Sequence, residues 1–252
     1  MKLTDRMQGV ANLVTPGLVL ADIGTDHSYL PIYLVKNEIV PKAIAMDVNK
    51  GPLTIAQENI EAEGLSDRIT TRLSDGLVKL KDYEAQSVII AGMGGRLILK
   101  ILSASKHQWE MVKEFILQPQ SELELFRRQM QVWGFVCQEE NMIFEDGKYY
   151  PMGRYIFSGI GNIADDFFEN EEVSFDDLSQ EKRVYYRYGE ALIKAGNNVL
   201  RQYLKKEEAH LLTLKDQVLK SADSEKKLIR LEEIKKKQED NQYALHILPM
   251  HK

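Results

Sequence analysis

Cysteine is almost missing from this 252-residue chain. Cys137 stands alone, so neither an intramolecular disulfide nor a cysteine-cluster zinc site can form, no metal is expected, and a reducing compartment fits best. Long apolar runs are missing too: no stretch approaches the roughly 18 uninterrupted apolar residues of a membrane span. Residues 1–14 carry Lys2, Asp5 and Arg6 and lack the apolar run and small-residue cleavage site of a secretory signal. A soluble, cytoplasmic protein that does not engage membranes is therefore expected. Nor is there a general excess of positive charge. The net charge is −5, so a nucleic-acid partner would have to be met by a local basic surface.

What is present is enough apolar material, 44% of residues, for a sizeable core, on a chain longer than a typical single domain. Up to about Phe157, short apolar runs alternate with amphipathic segments, the pattern of βα units around a parallel sheet. Leu18–Ile23, Ala43–Asp47, Ile69–Leu73, Ser87–Ala91 and Glu114–Leu117 read as five strands. Gly51–Ala62, Arg96–Ser103 and Ser121–Trp133 carry apolar residues at helical spacing and can cover the sheet faces. Beyond Gly134, apolar stretches on either side of the Asp146-Gly147 turn predict two more strands joined as an antiparallel hairpin. The fold class expected is α/β, a doubly wound sheet closed by a C-terminal antiparallel hairpin, which is the methyltransferase-like rather than the nicotinamide-binding form.

Composition changes after that. Asp165 to Glu181 is acidic and contains no Lys or Arg, marking a boundary, so the expected organisation is a catalytic domain over 1–164, an acidic linker over 165–181 and a helical domain over 182–252. In the last of these, Leu192, Val199, Tyr203, Leu211, Leu214, Val218, Leu228, Leu231 and Ile234 recur at three- and four-residue spacing, which predicts two long helices. Ser224 is placed to cap the second, giving a coiled-coil-like antiparallel hairpin. Between residues 181 and 237 there are 15 lysines and arginines against nine acids, a basic region inside an acidic protein. Either a solvated helix face or a nucleic-acid-contacting surface follows, with Lys205, Lys206, Lys226 and Lys227 as candidate phosphate contacts.

Candidate chemistry collects at the strand ends, where open α/β sheets bind ligands. Strand one runs into Asp22-Ile-Gly24-Thr-Asp26-His27-Ser28-Tyr29, in which Gly24 permits close backbone approach. The further glycines of a dinucleotide fingerprint are missing, which counts against a pyrophosphate ligand and leaves S-adenosylmethionine the better fit. Asp47 ends strand two, about the right distance on for a carboxylate that accepts ribose hydroxyls. Asp75, with Gly76, follows strand three and can accept from an adenine amine. Gly92, Met93, Gly94 and Gly95 end strand four, where backbone free of side chains can meet a ligand. Gln118, before Pro119, ends strand five and is a candidate hydrogen-bonding partner of substrate or cofactor.

The runs Ala21 to Pro31, Ala91 to Gly95 and Leu117 to Pro119, with Leu3 and Arg6 ahead of them and a basic helical C-terminus, closely resemble the bacterial tRNA adenine-22 N1-methyltransferase family. The resemblance implies a class I methyltransferase fold, S-adenosylmethionine as donor, and N1 of an adenine in the D-arm of tRNA as acceptor. It places Gly24, Asp47, Asp75 and the glycines at 92, 94 and 95 around the cofactor, and Asp26, His27 and Tyr29 against the base. Adenine N1 carries a lone pair and no proton, so no general base is needed, but the product ring is cationic. Asp26 is then expected to accept from the exocyclic amine, Tyr29 to stack on or hydrogen-bond the base, and His27 to orient either. A methyltransferase acting on a small molecule or protein, a non-enzymatic nucleic-acid-binding module, and a nicotinamide-dependent oxidoreductase are the alternatives; the first leaves the basic tail unexplained, the second leaves the strand-end carboxylates unexplained, and the third is disfavoured by the missing glycines.

Overall fold

The apolar runs of the first half form one seven-stranded sheet with the order β3-β2-β1-β4-β5-β7-β6. The computed structural model describes residues 2–162, 175–222 and 224–249. The strands are β1 (Leu20–Ile23), β2 (Ala43–Asp47), β3 (Ile69–Leu73), β4 (Ser87–Met93), β5 (Glu114–Pro119), β6 (Phe135–Glu145) and β7 (Lys148–Phe157). The first five pair in parallel, and β7 runs antiparallel to both β5 and β6. Because β6 thereby runs in the same direction as β5, the turn at Asp146-Gly147 lies at the carboxyl edge of the sheet.

Strands β1, β2, β4 and β5 are buried on both faces, which is why they read as continuous apolar runs without alternation. Their side chains nevertheless divide by parity. Ala21, Ile23, Val88, Ile90, Phe115 and Leu117 pack under α4 (Gly95–Ser103) and α5 (Leu123–Val132), while Leu20, Ala43, Ala45, Ile89 and Ile116 pack under α1 (Asp5–Asn12), α2 (Tyr29–Lys36) and α3 (Lys50–Ala62). The α4 side is finished by the buried Trp109, whose ring centroid lies 5.1 Å from that of Trp133 and 4.9 Å from that of Phe135. Helices α1 and α2 were not apparent from periodicity. Both are only eight residues long, and α2 is apolar nearly all round, so it gives no amphipathic signal.

The chain divides into two compact units, Met1–Glu171 and Glu172–Lys252. The acidic segment expected as a linker lies outside the described residues from 165 to 174. Within the second unit, two short helices, α6 (Gln180–Tyr188) and α7 (Glu190–Lys194), precede the two long ones, α8 (Asn198–Leu219) and α9 (Glu225–Ile247). Gly189 and Gly196, both at positive φ, interrupt what otherwise reads as one helical pattern. Ser224 caps α9 by accepting from the Lys227 amide at 3.2 Å. The hairpin is antiparallel: Arg201 near the start of α8 donates to Leu248 O beyond the end of α9, and Asn241 on α9 donates to Leu204 O. Leu192, Leu211 and Ile234 are buried as their spacing implied, whereas Leu228 is 70% exposed. Polar residues take core places there: Asp240, fully buried, receives hydrogen bonds from Arg183 and Arg187 on α6.

Candidate active site

A cleft opens at the carboxyl edge, at the ends of the neighbouring strands β1, β4 and β5. Its lining includes Arg6 from α1, Asp22 and Gly24 from β1 and its loop, Asp26, Gly92 from β4 and Gln120 after β5. The β1 loop is tied to β2, with the amides of Gly24 and Thr25 both donating to Met46 O. Gly24 has a φ of +71°, and a Cβ there would meet the terminal methyl of Met93, so Met93 reaches from β4 across the loop. Gly92, at a φ of +79°, lies under Arg6 and Gln120.

His27 and Ser28 adopt left-handed backbone in succession, with φ of 57° and 58°. Each such non-glycine residue costs about 1–3 kcal/mol, a strain that persists only where its surroundings enforce it. Asn59 of α3 does so by donating to His27 O at 2.9 Å, and Ser28 is fully buried at the start of α2. The consequence is a tight cluster. His27 Nε2 stands 3.4 Å from Asp26 Oδ1, and the His27 and Tyr29 rings lie 5.5 Å apart at 51°. The Asp26 side chain is 70% exposed and lines the cleft, so its carboxylate is available to a ligand.

Asp22 is the opposite case. It is buried, and burial pushes its pKa up to about 6; the Thr25 hydroxyl beside it pulls the other way, and the charges of Asp26 and Asp47 add to the rise. The cleft therefore contains both an acid of raised pKa, Asp22, and the Arg6 guanidinium.

From there the edge continues over β2 and β3. Asp47 ends β2, where one oxygen accepts the Asn49 amide at 2.7 Å and shapes the entry to α3, and Val48 beside it is 59% exposed. Asp75 is exposed just after β3. Since adjacent strands lie about 4.8 Å apart, Asp75, Asp47, Gly24 and Gly92 form a row about three strand spacings long.

A family model for a methyltransferase domain matches residues 3–152. The tRNA (adenine(22)-N(1))-methyltransferase of Bacillus subtilis strain 168 is 32% identical over 234 residues, 93% of this chain and 93% of that one. The chain belongs to the tRNA (adenine(22)-N(1))-methyltransferase family. Its fold agrees. The crystal structure of the B. subtilis M1A22 tRNA methyltransferase superposes with a TM-score of 0.79 at 32% identity, covering 97% of this chain and 99% of that one. A Streptococcus pneumoniae structure in complex with S-adenosyl-L-methionine gives a TM-score of 0.78 at 29% identity, covering 97% and 100%.

In this member of the family, several residues singled out by sequence have packing or hydrogen-bonding roles within the fold. Gln118 is fully buried, and its side-chain oxygen accepts from Arg6 Nη1 at 3.2 Å and from the Gly92 amide at 3.1 Å; it braces the cleft from beneath. Gly76 lacks a side chain because Ile101 occupies that space, and Gly95 because the Ser121 carbonyl and Phe126 do. Gly94 is the N-cap of α4, close to Ser121. Lys227 donates to Leu219 O and Ser221 O, closing the end of α8, so its ammonium is committed within the hairpin. Lys205, Lys206 and Lys226 are exposed.

Three polar cleft residues escaped sequence reasoning as site residues. Asp22 carried a signal, an acid inside an otherwise apolar strand. Arg6 would have required recognising α1 from Leu3, Met7, Val10 and Val14. Gln120 lies two residues beyond Gln118, on the first position clear of the strand.

Proposed function

We propose that this protein transfers the methyl group of S-adenosylmethionine to N1 of adenine 22 in tRNA. The observation that carries the reading is the likeness to a tRNA (adenine(22)-N(1))-methyltransferase across 93% of both chains, so that the helical unit is included along with the cofactor domain. Methyl transfer to tRNA followed by mapping of the modified base tests it.

The site suits the cofactor. An elongated nucleoside sulfonium needs a side-chain-free cradle, a ribose acceptor and charged partners for its amino-acid end; Gly24 and Gly92 supply the first, Asp47 the second, and Arg6 and Asp22 in the same cleft the third. Asp75 at the end of β3 is placed for the adenine amine and exposed Val48 for the ring face, while Met93 closes over Gly24. When bound, S-adenosylmethionine supplies an electrophilic methyl on a sulfonium sulfur, which keeps the electron pair of the broken C–S bond.

No proton has to leave adenine N1, so the residues position and stabilise rather than deprotonate. Asp26 accepts from the exocyclic amine and offsets the positive charge that develops on the ring. His27, held in strained backbone by Asn59, orients Asp26, and Tyr29 packs beside it. Reaching N1 requires the base to leave its stack, at a cost of a few kcal/mol that contacts elsewhere on the tRNA offset. The helical unit supplies those contacts through Lys205, Lys206 and Lys226. No helix among the described residues is long and apolar enough to cross a membrane, no metal-holding cluster is found among them, and we place the protein in the cytoplasm with its tRNA substrate.

A further inference from the structure

We infer that Gln120 is the residue that tells adenine from guanine, by reading the N6–N7 edge of the base that receives the methyl group. The inference rests on the acceptor being adenine N1. If N1 must face the sulfonium, the base cannot be recognised through N1, and recognition falls to the exocyclic amine and to N7 on the far edge. A carboxamide matches that edge in a bidentate way, its oxygen accepting from N6–H and its NH2 donating to N7. Guanine presents two acceptors there, which the carboxamide oxygen opposes.

Gln120 is where such a group is needed. It is exposed, lines the cleft, and stands one residue past the end of β5, with its backbone amide held by Met93 O at 2.8 Å. Its Nε2 lies 3.8 Å from the place a Cβ on Gly92 would occupy, so its amide overhangs the bare backbone at the end of β4. Gln118, at the end of the strand, is buried and bound to Arg6 and Gly92, whereas Gln120 presents a carboxamide to the cleft. Across the cleft stands Asp26. The sheet order β1-β4-β5 puts the loops bearing Asp26 and Gln120 two strand spacings apart, about 10 Å, with Gly92 between them. A purine seated between these two side chains, above the cofactor cradle, then gives one amine hydrogen to Asp26 on the N1 side and the other to Gln120 on the N7 side.

The test is a double cycle on tRNA, comparing wild type with Gln120→Ala on transcripts carrying adenosine or 7-deazaadenosine at the modified position. Deletion of N7 changes the intrinsic nucleophilicity of N1, but that change is common to both enzymes and cancels. Relative to Gln120→Ala, wild type should lose kcat/KM by a further factor of roughly five to a hundred on the 7-deaza substrate, as a donor left without its acceptor costs. The Gln120→Ala enzyme should be slow on both and should show only the intrinsic difference between the two bases, with S-adenosylmethionine affinity unchanged by titration, which shows that the variant is folded. Gln120→Asn, which keeps the carboxamide, should recover part of the discrimination. Equal discrimination against 7-deazaadenosine by wild type and Gln120→Ala overturns the inference. Failure of wild type to methylate tRNA at all would instead overturn the functional reading on which it stands.

Discussion

The side-chain oxygen of Gln118 accepts a hydrogen bond from Arg6 across 112 positions of sequence, joining the fifth strand to the first helix beneath the cleft. The same oxygen takes the Gly92 amide, so a single buried carboxamide fixes three segments. Gln118→Leu keeps the bulk but leaves both donors without their acceptor. An unfolding free energy lower by about 1–3 kcal/mol is expected in urea titration, together with weaker S-adenosylmethionine binding as Arg6 is released. An unchanged midpoint and affinity would show that the bracing is dispensable.

Asp22 makes a prediction about pH. Its folded pKa of about 6 lies above its ordinary value of 3.8, so between these pH values the folded chain holds a proton that the unfolded chain has released. Stability from this group is therefore full at low pH and is lost as pH rises through 6, and the charged form costs about 3 kcal/mol at pH 7. Asp22→Asn should be more stable than wild type by about that amount at pH 7 and by only about 1 kcal/mol at pH 4.5, while binding S-adenosylmethionine more weakly. A stability difference that does not vary with pH would contradict the assignment.

Asp47 and Asp26 should separate binding from turnover. Asp47→Ala removes a charged acceptor from the ribose position and should weaken S-adenosylmethionine binding tenfold or more, on the order of 1.5–3 kcal/mol. Asp26→Asn keeps a carbonyl but not the charge, so turnover should fall while cofactor affinity stays near wild type. Calorimetric titration beside single-turnover rates distinguishes them, and a collapse of cofactor affinity in the Asp26 variant would show that its role has been misassigned.

The lysines of the helical hairpin should divide in the same way. Replacing Lys205, Lys206 and Lys226 by Ala should weaken tRNA binding and flatten its dependence on salt, because fewer counterions are released. Lys227→Ala should instead loosen the α8–α9 turn, where its ammonium meets Leu219 O and Ser221 O, and lower the melting temperature. A salt slope unchanged in the triple variant would mean that these side chains form only a solvated face.

The strands were legible because burial on both faces leaves unbroken apolar runs, and the Asp146-Gly147 turn announced the hairpin through its φ of 48° and 78°. Less could be read where a residue's role depends on partners distant in sequence. Gln118 looked like a ligand contact because it ends a strand, but Arg6 claims it, and nothing local reveals that. Gly76 and Gly95 read as parts of a ligand cradle, and spacing could not show that a side chain at either would also meet Ile101 or the Ser121 carbonyl. In the helical unit, hydrophobic spacing found Leu211 and Ile234 but could not foresee that Asp240 and Asn241 would be fully buried, since the partners that receive them, Arg183 and Arg187 for Asp240 and Leu204 O for the Asn241 amide, lie far off in sequence.

The central claim is most directly tested by incubating the purified protein with S-adenosylmethionine and unmodified tRNA and locating the methyl group by nuclease digestion, mass spectrometry and primer extension. One N1-methyladenosine per tRNA at position 22 is the expected result, abolished by replacing that adenine with guanine. Methylation at another position or another atom, or none on tRNA while a small molecule or protein is methylated, would contradict the account.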